Sequence, residues 1–165
     1  MQKMKVILHD LDQTYADMIR AHADEVITAD GKYAPCQGCF GCWTKHPAEC
    51  FMKDKLQQVC RVIGAADEMV IITKNLYGSY STAVKNVLDR AIGTSTPFSN
   101  YRGGQMHHTL RYGKRDLWKI IVYGEITDGE KETFRYVAER NRINEGYERI
   151  EIVFLEDLSR LEATL

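Results

Sequence analysis

The chain contains 165 residues, of which 44% are hydrophobic and 27% are charged, and its formal net charge is −1. This composition is typical of an ordinary globular protein, and the length favours one domain over residues 1–165. The near-zero charge argues against a nucleic-acid partner, and no run approaches the roughly 18 apolar residues of a membrane span, so we expect a cytoplasmic protein with no membrane partner.

Short apolar runs alternate with amphipathic segments along the chain. In chain order, the pattern predicts five strands, at 4–8, 25–29, 69–72, 117–123 and 150–155. It predicts helices at 13–23, 54–64 and 79–92, and a further helix that begins at a Thr-Asp-Gly-Glu capping box at 127–130. Residues 93–116 are predicted to form a long polar loop. This alternation predicts an α/β fold with a parallel sheet covered by helices on both faces. Ligands of such sheets bind beyond the carboxyl ends of the strands, which directs attention to the loops after Leu8, Thr73 and Tyr123.

The first of these loops, residues 9–14, is a poor phosphate cradle. It has no glycine and a single hydroxyl residue, and it carries the carboxylates of Asp10 and Asp12. A phosphate is held by close backbone approach and by helix N-terminal N–H groups, and carboxylates repel it. The favoured interpretation is that both acids stabilise the start of the following helix.

The second loop combines an aromatic residue, a glycine and hydroxyl residues after a buried strand. Tyr77 could lie against a flat ring, Gly78 could allow a ligand close to the backbone, and Lys74 could pair with an anion. Alternatively, Ser79 or Ser81 caps the next helix and Tyr77 covers the core. The third loop, which begins at Tyr123, is informative only through its position.

Four of the five cysteines, Cys36, Cys39, Cys42 and Cys50, form a C-x2-C-x2-C-x7-C pattern. Thiolates two residues apart can converge on one soft metal centre, and the compact spacing resembles an iron–sulfur run more than a zinc site. The alternative is a loop of free thiols. The remaining cysteine, Cys60, lies on the apolar stripe of its helix and is predicted to be a core thiol. No Ser-His-Asp arrangement, HExxH, Walker or GxGxxG motif is present, so no catalytic side chain is predicted.

Three segments together resemble the NAD(P)H-dependent FMN reductases of the flavodoxin-like superfamily, including their iron–sulfur flavoproteins. They are 35–50, 77–90 and 106–112. The resemblance implies a three-layer α/β/α, flavodoxin-like fold with a five-stranded parallel sheet in the order 2-1-3-4-5. It also implies FMN at the strand ends and a homodimer or tetramer. The residues that would bind the cofactor are Thr73, Lys74, Asn75, Leu76, Tyr77, Gly78, Ser79, Tyr123 and Gly124.

In such proteins NAD(P)H reduces the flavin, which passes electrons to a flavin, quinone, nitro compound or iron–sulfur partner; a [4Fe–4S] cluster would sit on the four clustered cysteines. The chain departs from the family in its first loop, where 9–14 replaces a Gly-Ser-Pro-Arg type segment. The alternative hypothesis is therefore a flavodoxin-like protein that has lost FMN. It would keep the cysteine segment as a metal-binding or subunit-interface module.

Overall fold

The computed structural model describes residues 3–165, which form seven strands and five α-helices. The strands are β1 (Lys5–His9), β2 (Glu25–Thr28), β3 (Glu68–Lys74), β4 (Ser95–Arg102), β5 (Gln105–Leu110), β6 (Arg115–Tyr123) and β7 (Tyr147–Leu155). The helices are α1 (Ala16–Ala21), α2 (Val59–Ala65), α3 (Thr82–Arg90), α4 (Asp128–Glu145) and α5 (Leu161–Thr164). No helix within residues 3–165 is long and apolar enough to cross a membrane.

Five strands form one parallel sheet in the order β2-β1-β3-β6-β7. Because β4 and β5 lie outside this sheet, the order is the predicted 2-1-3-4-5, and the flavodoxin-like fold is confirmed. The chain leaves β1 toward β2 on one side and later enters β3 on the other side. The reversal of winding therefore falls between β1 and β3, where open α/β sheets bind their ligands.

The sheet separates two apolar layers, and β1 shows how its alternation supplies both. Val6 and Leu8 are buried in the layer that contains α2, α3 and α4, whereas Ile7 is buried with Ile19 and Leu161 on the opposite face. Full burial of one such side chain contributes about 1.5–3 kcal/mol, so both faces of the central strands are fixed in register.

The prediction of a loop at 93–116 was wrong, because most of this segment is an antiparallel hairpin. Strands β4 and β5 pair with Arg102 opposite Gln105, and the turn consists of Gly103 and Gly104 at φ values of 57° and 77°. Two consecutive residues with positive φ give the two-residue turn whose twist suits a hairpin. Neither strand has a buried residue and most of their residues are polar, so their composition resembled that of a loop.

Three predicted helices begin later than expected: those at 13–23, 54–64 and 79–92 begin at Ala16, Val59 and Thr82. The helix predicted from residue 54 begins at Val59, because the Asp54 carboxylate accepts the Leu56 backbone N–H and holds the chain in turns. In contrast, the capping box before α4 is confirmed, since Thr127 and Glu130 exchange hydrogen bonds with each other's backbone N–H groups.

Candidate functional site

The carboxyl ends of β1, β3 and β6 meet at one edge of the sheet, and Asp10 joins them. One oxygen of its carboxylate accepts the backbone N–H of Lys74 at 3.0 Å, and the other accepts the hydroxyl of Tyr123 at 3.1 Å. Burial and the Asp10 carboxylate raise the pKa of Tyr123, so its hydroxyl stays protonated and donates. The three loops singled out in the sequence therefore lie side by side.

The β3 loop ends in a tight turn that displays an aromatic ring to solvent. Leu76 and Ser79 exchange backbone hydrogen bonds of 3.0 and 3.1 Å, and Tyr77 and Gly78 between them have φ values of 52° and 76°. Tyr77 is 85% exposed, so it does not cover the core as one interpretation had it. An apolar ring held outward by a backbone conformation that few non-glycine residues adopt points to a functional role.

Gly78 packs closely against α4. A Cβ at this position would lie 2.8 Å from the carbonyl oxygen of Glu130 and 3.0 Å from Cβ of Thr133. The glycine is therefore required by the contact with α4 as well as by the turn.

The nine predicted binding residues divide by their accessibility. Thr73 and Gly78 are buried, and the hydroxyl of Thr73 accepts the backbone N–H of Ser81 at 2.9 Å. Ser81 is the N-cap of α3, which resolves the choice between the two candidate capping serines. The seven that present surface at the edge are Lys74, Asn75, Leu76, Tyr77, Ser79, Tyr123 and Gly124.

The first loop, residues 9–14, is held by hydrogen bonds between its own residues. The Asp12 carboxylate accepts both the backbone N–H of Thr14, at 2.9 Å, and the Thr14 hydroxyl. These two hydrogen bonds lower the pKa of Asp12, so its charge persists at neutral pH. The following turn, Gln13–Tyr15, is a 3-10 helix, and α1 is only six residues long. No Lys or Arg occurs between Asp10 and Ile19.

His9, at the end of β1, was not singled out by sequence reasoning. It is buried, its Nε2 lies 3.4 Å from the Thr28 hydroxyl, and its Nδ1 has no hydrogen-bond partner among residues 3–165. Burial lowers the pKa of His9, which favours the neutral ring. It therefore adds no positive charge to the first loop.

A cleft of about 480 Å³ lies farther along the edge, at the ends of β6 and β7. Its lining includes two carboxylates, Glu125 and Glu156, and one cation, Lys131. The Lys131 ammonium lies 3.2 Å from the Asp128 carboxylate, so the cleft offers little to an anionic ligand.

The four clustered cysteines, Cys36, Cys39, Cys42 and Cys50, line one cavity between the cysteine segment and the end of α3. Among residues 3–165, however, no three His, Cys, Asp or Glu side chains are close enough together to hold a metal ion. The structure therefore brings the predicted ligands to one place without arranging them as a metal site.

Comparison with known proteins decides the family. The family model described as NADPH-dependent FMN reductase matches residues 10–107, which is more than half of the chain. The chain belongs to this family. The match runs from the first loop through the cysteine segment and the β3 turn into β5. No curated protein matches the chain.

Solved structures of flavodoxin-like enzymes share the fold of this FMN reductase family member. An FMN-dependent NADH-azoreductase from Bacillus anthracis, solved with FMN, has 13% sequence identity and a TM-score of 0.57 over 93% of this chain and 86% of its own. The NAD(P)H:quinone oxidoreductase of Methanothermobacter marburgensis has 12% identity and a TM-score of 0.56 over 99% and 95%. At such identities the similarity establishes the shared fold.

Within this family member, a buried ion pair anchors the cysteine segment to α3. The Arg90 side chain is 0% exposed, and its two terminal nitrogens each lie 2.8 Å from an oxygen of Asp54. A third bond, also of 2.8 Å, runs to the carbonyl oxygen of Ala34. The guanidinium holds the pKa of Asp54 near 2, so the pair is ionised at any physiological pH.

Cys60 is fully buried, as predicted, and the cavity cysteine Cys42 lies beside it. A Cβ on Gly93 would be 2.9 Å from the Cys60 sulfur and 3.1 Å from Cβ of Cys42, so both side chains pack on this glycine. The Cys60 thiol lowers the pKa of Cys42, while Cys42 and burial raise that of Cys60. Cys42 is therefore the thiol of this pair that ionises first.

Proposed function

We propose that this chain is a flavin-dependent NAD(P)H oxidoreductase that passes electrons to a small-molecule acceptor such as a flavin, quinone or nitro compound, or to an iron–sulfur partner. The observation that carries the proposal is the outward-facing Tyr77 on its left-handed turn, at the β1/β3 edge of a chain from the FMN reductase family. The flavin supplies the hydride and electron chemistry, and the protein binds and orients it.

The edge offers a flat apolar surface to a ring. Leu76 and Tyr77 are both exposed at the tip of the turn. The turn is held against the β6 loop, because the Asn75 amide donates to the carbonyl oxygen of Glu125 at 2.9 Å and the Asn75 backbone N–H donates to Tyr123 O, also at 2.9 Å. A rigid aromatic platform orders a stacked ring without much further loss of conformational freedom.

Lys74 gives this platform one positive charge. Its side chain runs over Gly124, where an added Cβ would lie 3.7 Å from the Lys74 Cγ. A cation beside a bound ring stabilises negative charge that the ring acquires on reduction. The ring half of FMN thus fits the residues present, whereas the first loop, with Asp10 and Asp12, does not fit the phosphate half.

Replacing Tyr77 by Asn tests the platform without disturbing the turn. Asn tolerates positive φ, and Asn-Gly is the preferred pair for this turn, so Tyr77→Asn removes the ring and retains the backbone. We expect purified wild-type protein to quench added flavin fluorescence and to oxidise NADPH with a quinone. We expect Tyr77→Asn to bind flavin about tenfold more weakly, since an aromatic stacking contact contributes about 0.5–1.5 kcal/mol beyond the area it buries.

Tyr136→Ala is the matched control, because Tyr136 is exposed on α4. Its flavin affinity should equal that of the wild type. Equal flavin affinity in Tyr77→Asn and the wild type would refute the placement of the ring, and the absence of flavin binding to the wild type would refute the proposed function.

An iron–sulfur cluster is the second candidate, favoured by the single cavity that all four clustered cysteines line. It would accompany the flavin, or replace it if the flavin site has been lost. Iron and sulfide should then be found after anaerobic purification, and Cys39→Ala should lose them while Cys60→Ala, outside the cavity lining, retains them. Equal iron in both variants, or none in the wild type, would refute the cluster.

We also propose that the protein forms a homodimer or tetramer. The β4–β5 hairpin exposes Phe98, Tyr101 and Met106, and exposed apolar patches mark association sites. Sedimentation equilibrium should give a mass above 18.9 kDa, and Phe98→Ser should lower it toward the monomer. A wild-type monomer at micromolar concentration would contradict this. The cytoplasmic location stays a prediction.

A further inference from the structure

We propose that this site selects a flavin without a 5′-phosphate, so that riboflavin binds at least about tenfold more tightly than FMN. The inference rests on the proposed function and specifies its ligand. It follows from the state of the first loop, which lies where folds of this class receive a phosphate group.

An internal carboxylate already occupies the anion position of the first loop. Donors at the start of the helical segment, the backbone N–H and the hydroxyl of Thr14, are both taken by Asp12. The next backbone N–H, that of Tyr15, donates to the carbonyl oxygen of Asp12 at 3.3 Å. A phosphate would have to displace the Asp12 side chain, and the exposed ionised carboxylate would remain beside it.

Asp10 adds a second fixed negative charge that cannot move away. Its two hydrogen bonds, to Lys74 N and the Tyr123 hydroxyl, hold the ends of β3 and β6 in place. Neither donor is a cation, so the charge of Asp10 is not neutralised by a direct ion pair. The Lys74 side chain lies over Gly124, and His9 is neutral.

The same carboxylates suit the sugar-alcohol chain of riboflavin. A ribityl chain carries hydroxyl groups, which donate hydrogen bonds, and ionised carboxylates accept them. A dianionic phosphate offers only acceptors at this position and meets two like charges. The loop therefore matches a ligand with an aromatic ring and a neutral polyhydroxyl tail.

The experiment titrates the purified protein with riboflavin and with FMN, following flavin fluorescence at low salt. We expect riboflavin to bind at least about tenfold more tightly, and the difference to shrink as salt screens the charges. Asp12→Asn removes one charge and keeps an N-cap acceptor. This variant should bind FMN about fivefold more tightly than the wild type, whereas its riboflavin affinity should not rise.

Asp17→Asn is the control, because it makes the same change of net charge at an exposed position of α1. It should leave the ratio of the two affinities unchanged. FMN binding more tightly than riboflavin, or an equal shift in Asp12→Asn and Asp17→Asn, would overturn the inference and leave the proposed function standing. Failure of both flavins to bind would overturn both.

Discussion

Replacing Asp54 by Asn should destabilise the fold far more than an ordinary surface change. The Arg90 guanidinium is fully buried and depends on Asp54 for two of its three 2.8 Å hydrogen bonds. Asn keeps the size of the side chain and one acceptor, but it leaves the buried cation without a counter-charge. Breaking a buried pair in this way costs about 3–5 kcal/mol, and we expect about 3 kcal/mol because one acceptor is retained.

Urea unfolding followed by circular dichroism measures this loss, and the melting temperature should fall by about 6–12 °C for a chain of this size. Asp89→Asn is the matched control: Asp89 precedes Arg90 on α3 but pairs with Lys85 on the exposed face, so it should cost no more than about 0.5 kcal/mol. A loss below about 1 kcal/mol in Asp54→Asn would refute the view that this pair anchors the cysteine segment.

The pH dependence of the same pair provides a second check. Because Arg90 holds the pKa of Asp54 near 2, the carboxylate stabilises the folded state fully above the unfolded value of about 3.8. This stabilisation is lost as the pH falls through about 2. The stabilities of the wild type and Asp54→Asn should therefore converge between about pH 4 and pH 2. A constant difference over this range would contradict the assignment.

Two further predictions concern packing. Gly78→Ala should lower the free energy of unfolding by about 2–3 kcal/mol, since its Cβ would lie 2.8 Å from the Glu130 carbonyl oxygen. Gly103→Ala, also at positive φ but with no atom within 4 Å of the added Cβ, should lower it by only about 1 kcal/mol. Equal losses in urea unfolding would contradict the contact with α4. When the folded protein is treated with iodoacetamide, the exposed Cys39 should be modified and the buried Cys60 should remain unmodified, as detected by mass spectrometry. Rapid modification of Cys60 would show that its helix does not pack as described.

The sequence predicted the sheet well because its strands are buried on both faces. Continuous apolar runs such as 69–72 mark such strands, and the Thr127 capping box is a local pattern that needs no tertiary contact. The hairpin was missed because β4 and β5 have no buried residue and consist mostly of polar residues. The Gly103–Gly104 pair between them was the available indication of a two-residue turn.

The site was predictable in position but not in detail. The loop after β3 lies at the edge where ligands bind, as parallel topology requires. The bridging role of Asp10 was not predictable, because it depends on Tyr123, which lies 113 residues away in the chain. Likewise, spacing alone could not show that Gly78 is needed by α4, since that contact forms only in the tertiary structure.

The most direct test of the account is to map flavin binding on the folded chain by nuclear magnetic resonance. Riboflavin would be added to ²H,¹⁵N-labelled protein, and transverse-relaxation-optimised spectra would be recorded, since these suit a dimer or tetramer of 18.9 kDa chains. The account predicts that amide shifts change at 74–79 and 123–126, with smaller changes at 10–14. Changes confined to the cysteine cavity at 36–52, or to the β4–β5 hairpin, would contradict the placement of the flavin on the β3 turn.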